Sequence, residues 1–269
     1  MPRPIFRAVL RLLAILAGVA APFAFGGQAR AEAPPGSGNT LVFGILETEQ
    51  PPLVLIRDGE VSGGLIKAIG DEIARRGGFK PLYRLVPRNR LESDLADGLI
   101  DLACGYSPDW LPRLAVPRFS IPILISHSVM AIRRADTGHL RGLSDLAGRR
   151  VGAILGFRYP PEIEAAFIDG TWQREDAPSA ESNFLKLRNR RVDAILTTDL
   201  EVDYRQATDR TWADSLAVLP QPMGEHEERC ANAVHSPLSM AALNAAIAAM
   251  RADGTLTHLR VTTTGRAGS

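Results

Sequence analysis

Residues 63–113 read GGLIKAIGDEIARRGGFKPLYRLVPRNRLESDLADGLIDLACGYSPDWLPR, and their periodicity decides the fold class. Leu65, Ile69 and Ile73 recur every four residues and share one helical face. Gly77 and Gly78 end that helix, where a left-handed residue is needed. Phe79 to Val86 then reads as a strand, with Leu82 and Tyr83 as its bulk. Asn89 with Glu92 three residues on approximates a capping box. Leu91 and Leu95 give the following short helix a buried face, and Gly98 stops it. Leu99 to Cys104 is an apolar run of the kind found in a parallel strand covered on both sides. Helix and strand alternating at such short intervals predict an open α/β sheet. Ligands bind at the carboxyl ends of strands in such sheets, which here is Cys104-Gly-Tyr-Ser-Pro.

Outward from this stretch the pattern continues. Leu41 to Leu46 is a strand, and Glu47 to Pro52 is the loop at its carboxyl end. Val54 to Val61 forms a hairpin around Asp58-Gly59, whose residues tolerate the positive φ of a tight turn. Val151 to Leu155 is another strand, with Gly156-Phe-Arg-Tyr159 after it. Pro160 and Pro161 suit a helix start, where no intrahelical N–H is required. Ala180 to Arg190 is amphipathic, Val192 to Thr197 is a buried strand, and Leu238 to Ala252 is an alanine-rich helix ended by Gly254.

Composition narrows the function classes. The 269 residues carry a net charge of +1, and 45% are hydrophobic, which suits a packed globule. Residues 1–31 resemble a secretory signal peptide, with Arg3, Arg7 and Arg11 ahead of the apolar run Leu12 to Ala21 and Ala29-Arg30-Ala31 as the cleavage site. Its removal takes four arginines and no acid, leaving 27 basic against 30 acidic residues and a charge of −3. A nucleic-acid partner would want a basic domain. An exported chain permits a disulfide. Cys104 and Cys230 are the only two cysteines. His226, Glu227 and Cys230 match no common zinc spacing, and no nucleophile elbow or phosphate loop occurs, so no cofactor and no catalytic residue is expected.

The motifs Gly98-Leu-Ile-Asp101, then Arg113, then Phe119-Ser-Ile-Pro122 resemble lobe 1 of the family 3 extracellular solute-binding proteins, and the likeness runs to about residue 260. Gly142-Leu-Ser-Asp-Leu-Ala-Gly148, continued by Arg149-Arg-Val-Gly152, resembles the opening of the second lobe, and 238–256 resembles the closing helix. The resemblance implies an α/β, two-lobed type 2 periplasmic-binding-protein fold. Each lobe would be an open, mostly parallel sheet flanked by helices, with two hinge crossings. Lobe 1 would hold residues 40–131 and 221–262, lobe 2 residues 132–220, and 263–269 would be a disordered tail. It also implies a periplasmic, monomeric binding protein that captures a small polar, anionic or zwitterionic solute by hinge closure. Its partner would be the permease of an ABC importer, or a sensor kinase. An enzyme resembling the periplasmic dehydratases of this fold is the alternative.

The same resemblance, together with the strand ends, names the site residues. Arg113 matches the family arginine that grips a carboxylate, for which a planar fork of donors is suited. Glu47 and Glu49 supply negative charge from the first loop, with Gln50 beside them. Tyr106 lines the opposite wall, and Arg88 and Arg90 follow another strand end. In the second lobe Phe157, Arg158 and Tyr159 occupy the family's carboxylate-binding loop. Thr198 stands where the family has an acid for the ligand's amino group, with Asp199 one residue later. Gln50-Pro-Pro-Leu53 and Ala68 also depart from the family pattern. In the resembled fold the chain returns beside the strand of Cys104 near Cys230. This leaves two readings open, a disulfide or two buried thiols.

Overall fold

In the computed structural model, which describes residues 39–265 apart from 112, 115–117, 158 and 222, strand β1 (Thr40–Leu46) lies between two parallel neighbours. β4 (Lys80–Val86) flanks it on one side and β5 (Leu102–Tyr106) on the other. β2 (Leu55–Arg57) and β3 (Glu60–Gly63) form the expected hairpin. Asp58 at φ 53 and Gly59 at φ 77 make its turn. Helix α1 (Leu65–Gly77) turns Leu65, Ile69 and Ile73 inward and closes on Gly78 in the left-handed conformation. Its first cap is Gly64, at φ 101, where a Cβ would come within 2.5 Å of the Leu53 carbonyl oxygen.

Three local readings need correction. The short helix α2 (Leu91–Ala96) starts after Arg90 without a side-chain cap. Glu92 instead accepts the Arg113 backbone N–H at 2.9 Å. Leu82 is 47% exposed, because β4 is the edge of the sheet and half of its side chains face water. β5 begins at Leu102 rather than Leu99, since the Asp101 carboxylate accepts the Val42 N–H at 2.8 Å and ends the turn there.

The sequence predicts a strand over Val129 to Arg134, leading out of the first half, and the strand observed there starts five residues earlier. β6 (Leu124–Arg133) pairs along its first half with β11 (Glu225–Asn232) and along its second half with β9 (Ala194–Thr198). β7 (Arg150–Ile154) lies parallel between β9 and β8 (Gln173–Ala177), and β10 (Leu216–Val218) pairs with the end of β6. The full order is β4-β1-β5-β11-β6-β9-β7-β8. It comprises two mostly parallel half-sheets joined by the antiparallel strands β6 and β11. The chain returns beside its own exit, with Leu219 N–H donating to the Met130 carbonyl and Ser128 N–H to the Gly224 carbonyl, both at 2.9 Å.

Each half-sheet is covered on both faces. Phe43, Ile45, Leu65 and Ile69 pack on one side of the first half, and Val42, Leu91, Leu95 and Tyr106 on the other. Met130, Leu146, Val151 and Trp172 form one side of the second half, and Phe184, Ile195 and Trp212 the other. Helices α3 (Pro161–Ile168), α4 (Ala180–Arg188), α5 (Asp199–Thr208) and α6 (Arg210–Ala213) cover the second half. α7 (Met240–Ala252) and α8 (Thr255–Thr264) return against α1. Leu200, from the first turn of α5, packs into the core of the first half and so touches both. Sequence reading gives no signal for β8 or α5, whose apolar residues are few. α8 extends two residues into the stretch assigned to a tail, and Gly265 caps it. The rest of that tail, and the whole signal-peptide assignment, lie outside the described residues.

Cys104 and Cys230 face one another in the β5–β11 ladder, with Cα atoms 3.9 Å apart, and are bonded. Both are buried. The disulfide reading is the one that holds.

Candidate functional site

Four segments carry the candidate site residues: the loop after β1, the loop after β5, the loop after β7, and the first turn of α5. The first two meet directly. Tyr106 is buried, and its hydroxyl donates to Glu49 Oε1 at 3.2 Å. Burial raises the Tyr106 hydroxyl well above its ordinary pKa, and the Glu49 charge raises it further. Glu49 is half-buried. Burial raises its pKa, the Tyr106 hydrogen bond and Arg88 oppose that rise, and Glu201 adds to it. Arg88, exposed after β4, also donates to the Trp110 carbonyl at 3.5 Å. Glu47 and Gln50 are exposed beside Glu49 and line a small cavity of about 180 Å3 with Pro51, Val54 and Leu55.

Arg113 lies on the loop after β5 with an exposed side chain. Its backbone N–H, bonded to Glu92, ties that loop to α2. Trp110, on the same loop, packs its ring tilted against that of His226 of β11 at 5.7 Å, and His226 Nε2 is 2.7 Å from Ser128 Oγ. The first half therefore leans on the crossing strands through this loop.

In the second half, Phe157 is 45% exposed rather than folded into the core. Its ring lies 5.0 Å from that of Tyr159. Tyr159 is half-buried, and its hydroxyl accepts the Ile154 N–H at 2.9 Å. Burial pushes that hydroxyl up to about 12. Arg174, unremarked in the sequence, stacks on Tyr159 and Phe167 and reaches the Ile154 and Phe157 carbonyls at 3.4 Å. It holds the loop from the side. Arg158 lies outside the described residues.

Thr198 caps α5 by accepting the Glu201 N–H at 3.3 Å. Asp199 is fully engaged. Its carboxylate accepts from the His127 N–H at 2.9 Å, from the Leu200 N–H at 2.9 Å and from the Arg260 guanidinium at 2.8 Å. Burial acts to raise its pKa, but these donors prevail and hold it below the usual Asp range. Asp199 thus joins β6, α5 and α8. It also borders a larger groove of about 950 Å3 between α5, β10 and α8, away from the β1 and β5 loops. Glu201, also in the first turn of α5, accepts from Thr197 Oγ1, and its charge acts on Glu49 and Tyr159. Burial raises its pKa against that hydrogen bond and the Arg205 charge. Its only sequence signal is an acid in the first turn of a helix that the sequence did not announce.

Glu228 completes the acidic surroundings. It is 3% exposed on β11, and its Oε1 accepts from Ser126 Oγ at 2.8 Å. Its Oε2 has no partner among the described residues. Burial pushes this carboxyl up to about 8, and the Glu49 and Asp199 charges contribute. Among the described residues no helix is long and apolar enough to cross a membrane, and no three His, Cys, Asp or Glu residues stand close enough to hold a metal ion.

Comparisons with known proteins agree with this architecture. The L-cystine-binding protein TcyJ of Escherichia coli K12 is 26% identical over 223 residues, spanning 82% of this chain and 80% of that one. An ancestral cationic amino acid solute-binding protein superposes with a TM-score of 0.68 at 16% identity, covering 84% of this chain and 96% of that one. The second substrate-binding domain of Lactococcus lactis GlnP, in its open conformation, superposes with a TM-score of 0.65 at 15% identity, covering 87% and 98%. The sequence profile of the bacterial extracellular solute-binding proteins, family 3, matches residues 41–262, so the chain belongs to that family.

Proposed function

We propose that this chain captures a small amino-acid-like solute in the cleft between its half-sheets and delivers it to the permease of an ABC importer in the bacterial envelope. The observation that carries this reading is the pair of mostly parallel half-sheets joined by the adjacent antiparallel strands β6 and β11. A solute touching both halves favours the closed state by its differential affinity, and two antiparallel crossings are a natural hinge. The lobes are residues 40–131 with 221–262, and 132–220 between them. Arg113 and the backbone of the 155–159 loop receive the solute's carboxylate. Phe157 and Tyr159 supply an aromatic wall, and Glu47, Gln50, Tyr106 and Thr198 supply polar contacts. Asp199 holds the helices together and is not counted among the contacts. The relatives named for cystine and for cationic amino acids support the amino-acid class.

A periplasmic location and a monomeric state accompany this reading. The test is thermal unfolding of the mature chain with each of the twenty L-amino acids and L-cystine. At least one raises the Tm, by mass action, and mass spectrometry recovers it unchanged. A solute consumed during the incubation would instead favour a dehydratase-like enzyme.

A further inference from the structure

We propose that the end of the second half where β7, β8 and β9 begin is a docking surface for the anionic phospholipid headgroups of the bacterial envelope. This surface is separate from the loops named above and independent of the solute. The stretches 133–150 and 186–193 meet there. The Asp193 N–H donates to the Arg150 carbonyl at 2.8 Å, the Arg150 guanidinium to the Arg190 carbonyl at 3.1 Å, and the Arg133 guanidinium to the Val192 carbonyl at 2.7 Å. Together the two stretches hold nine basic residues against three acids, in a mature chain whose charge is −3. In the sequence Arg188, Arg190 and Arg191 read as one helix end, which the helix dipole accounts for. Only the fold brings Arg149 and Arg150, at the start of β7, to the same end.

The three acids are engaged by the fold itself. Asp136 is buried and pairs with Arg133 at 2.6 Å. Asp145 accepts the Arg141 and Gly142 N–H groups at 2.8 and 3.2 Å. Asp193 accepts the Arg150 N–H at 3.0 Å. Arg149, Arg150, Arg188, Arg190 and Arg191 are all exposed. Among the described residues Arg149, Arg188 and Arg191 form no ion pair, and Arg150 and Arg190 reach an acid only at 3.9 Å. Arg190 stands at φ 57, where glycine or asparagine would be relaxed, so backbone preference does not explain an arginine there. The guanidinium fork fits phosphate oxygens in pairs, and an anionic leaflet attracts a cluster of such groups. Among the described residues no large exposed apolar side chain lies in either stretch, so the contact is electrostatic and peripheral. It also leaves the candidate site free. β7 and β9 have five residues each, about 16 Å of strand, and the Phe157 loop and Thr198 stand at their other ends. The family is extracellular, so a membrane leaflet is the extended anionic surface at hand.

The experiment is co-sedimentation of the mature chain with phosphatidylcholine vesicles, with and without one-third phosphatidylglycerol. At about 20 mM salt the chain sediments with the anionic vesicles and stays in solution with the neutral ones. At about 300 mM salt, where the Debye length is about 6 Å, the affinity falls about tenfold or more. Arg149→Glu together with Arg191→Glu weakens binding about tenfold or more at low salt. Lys80→Glu together with Arg84→Glu makes the same charge change on the exposed edge strand β4, and leaves the affinity within about threefold. Should the first pair fail to fold, Arg149→Gln with Arg191→Gln replaces it and weakens binding in the same direction. The solute-induced rise in Tm is unaltered in each variant, so a failure of the solute-binding reading is told apart from a failure here. No sedimentation with the anionic vesicles, or equal weakening by both pairs, would overturn the inference. So would retention on polyglutamate that depends on Arg149 and Arg191 without any vesicle binding, which would make the partner an acidic protein.

Discussion

The Tyr106 hydroxyl donates to Glu49 Oε1 at 3.2 Å, and this single bond ties the end of β5 to the loop after β1. It also opposes the burial that raises the Glu49 carboxyl. Tyr106→Phe removes the donor and keeps the ring. The expected result is a loss of about 1.5–3 kcal/mol in unfolding free energy, as for a hydrogen bond to a charged group. The Glu49 titration should also move to higher pH, read by carboxyl-carbon NMR. An unmoved Glu49 titration would mean that the bond does not form in solution.

The Cys104–Cys230 disulfide joins residues 126 positions apart and pins the returning β11 onto β5. A cross-link over so long a loop restricts the unfolded chain heavily, by roughly 2–5 kcal/mol. The double variant Cys104→Ala, Cys230→Ala should unfold at correspondingly lower denaturant with the same secondary structure. Equal midpoints for the two proteins would refute a stabilising role.

Asp199 gathers donors from three elements. Removing it strands the Arg260 guanidinium, which is itself buried. Asp199→Ala should cost about 3 kcal/mol, within the range for breaking a buried pair from one side. Its folded pKa lies below the unfolded value, so its stabilisation is complete above the ordinary Asp range. That contribution is lost as pH falls through the depressed value. Denaturation from pH 7 down to pH 2 should therefore show the wild type converging on the variant at the acid end.

Glu228 acts in the opposite direction. Its carboxyl faces Ser126, Gly105, Asp199, Arg260 and the charge of Glu49, and in the folded chain it titrates near 8. The unfolded chain ionises it near 4.5. Stability from this group is therefore full below the lower value and declines as pH rises toward 8. The ceiling is roughly 4–5 kcal/mol. Glu228→Gln should flatten that decline and stabilise the protein at pH 8 by about 1–3 kcal/mol. Parallel pH profiles for the two proteins would show that Glu228 is ionised in the native state.

Much of the first half was legible. Leu65, Ile69 and Ile73 locate α1, Asp58-Gly59 locates the hairpin turn, and Leu91 and Leu95 locate α2, because each signal is local and periodic. Leu82 misled because apolar content alone does not say whether a strand is central or at an edge. Asn89 misled because Glu92 found the Arg113 N–H instead. The beginning of β6 was missed, since its residues Ser126-His-Ser128 gain partners only from β11 and β9. Among the candidate site residues, Tyr106, Phe157 and Tyr159 were singled out from strand ends, and they do stand at or just after the ends of β5 and β7. Asp199 was reached too, but three elements of the fold occupy its carboxylate. Glu201 and Glu228 gave no sequence signal, because a glutamate in a helix turn or a polar strand normally faces water.

The sequence by itself determined the alternation of helices and strands, the loops at the strand ends, and the family to which they belong. These depend on side-chain period and on glycine and proline, which act over a few residues. Only the tertiary structure decided which acids are enclosed, which already have donors, and that the two cysteines meet. Those properties depend on desolvation and on partners up to 126 positions away, and no local pattern encodes them.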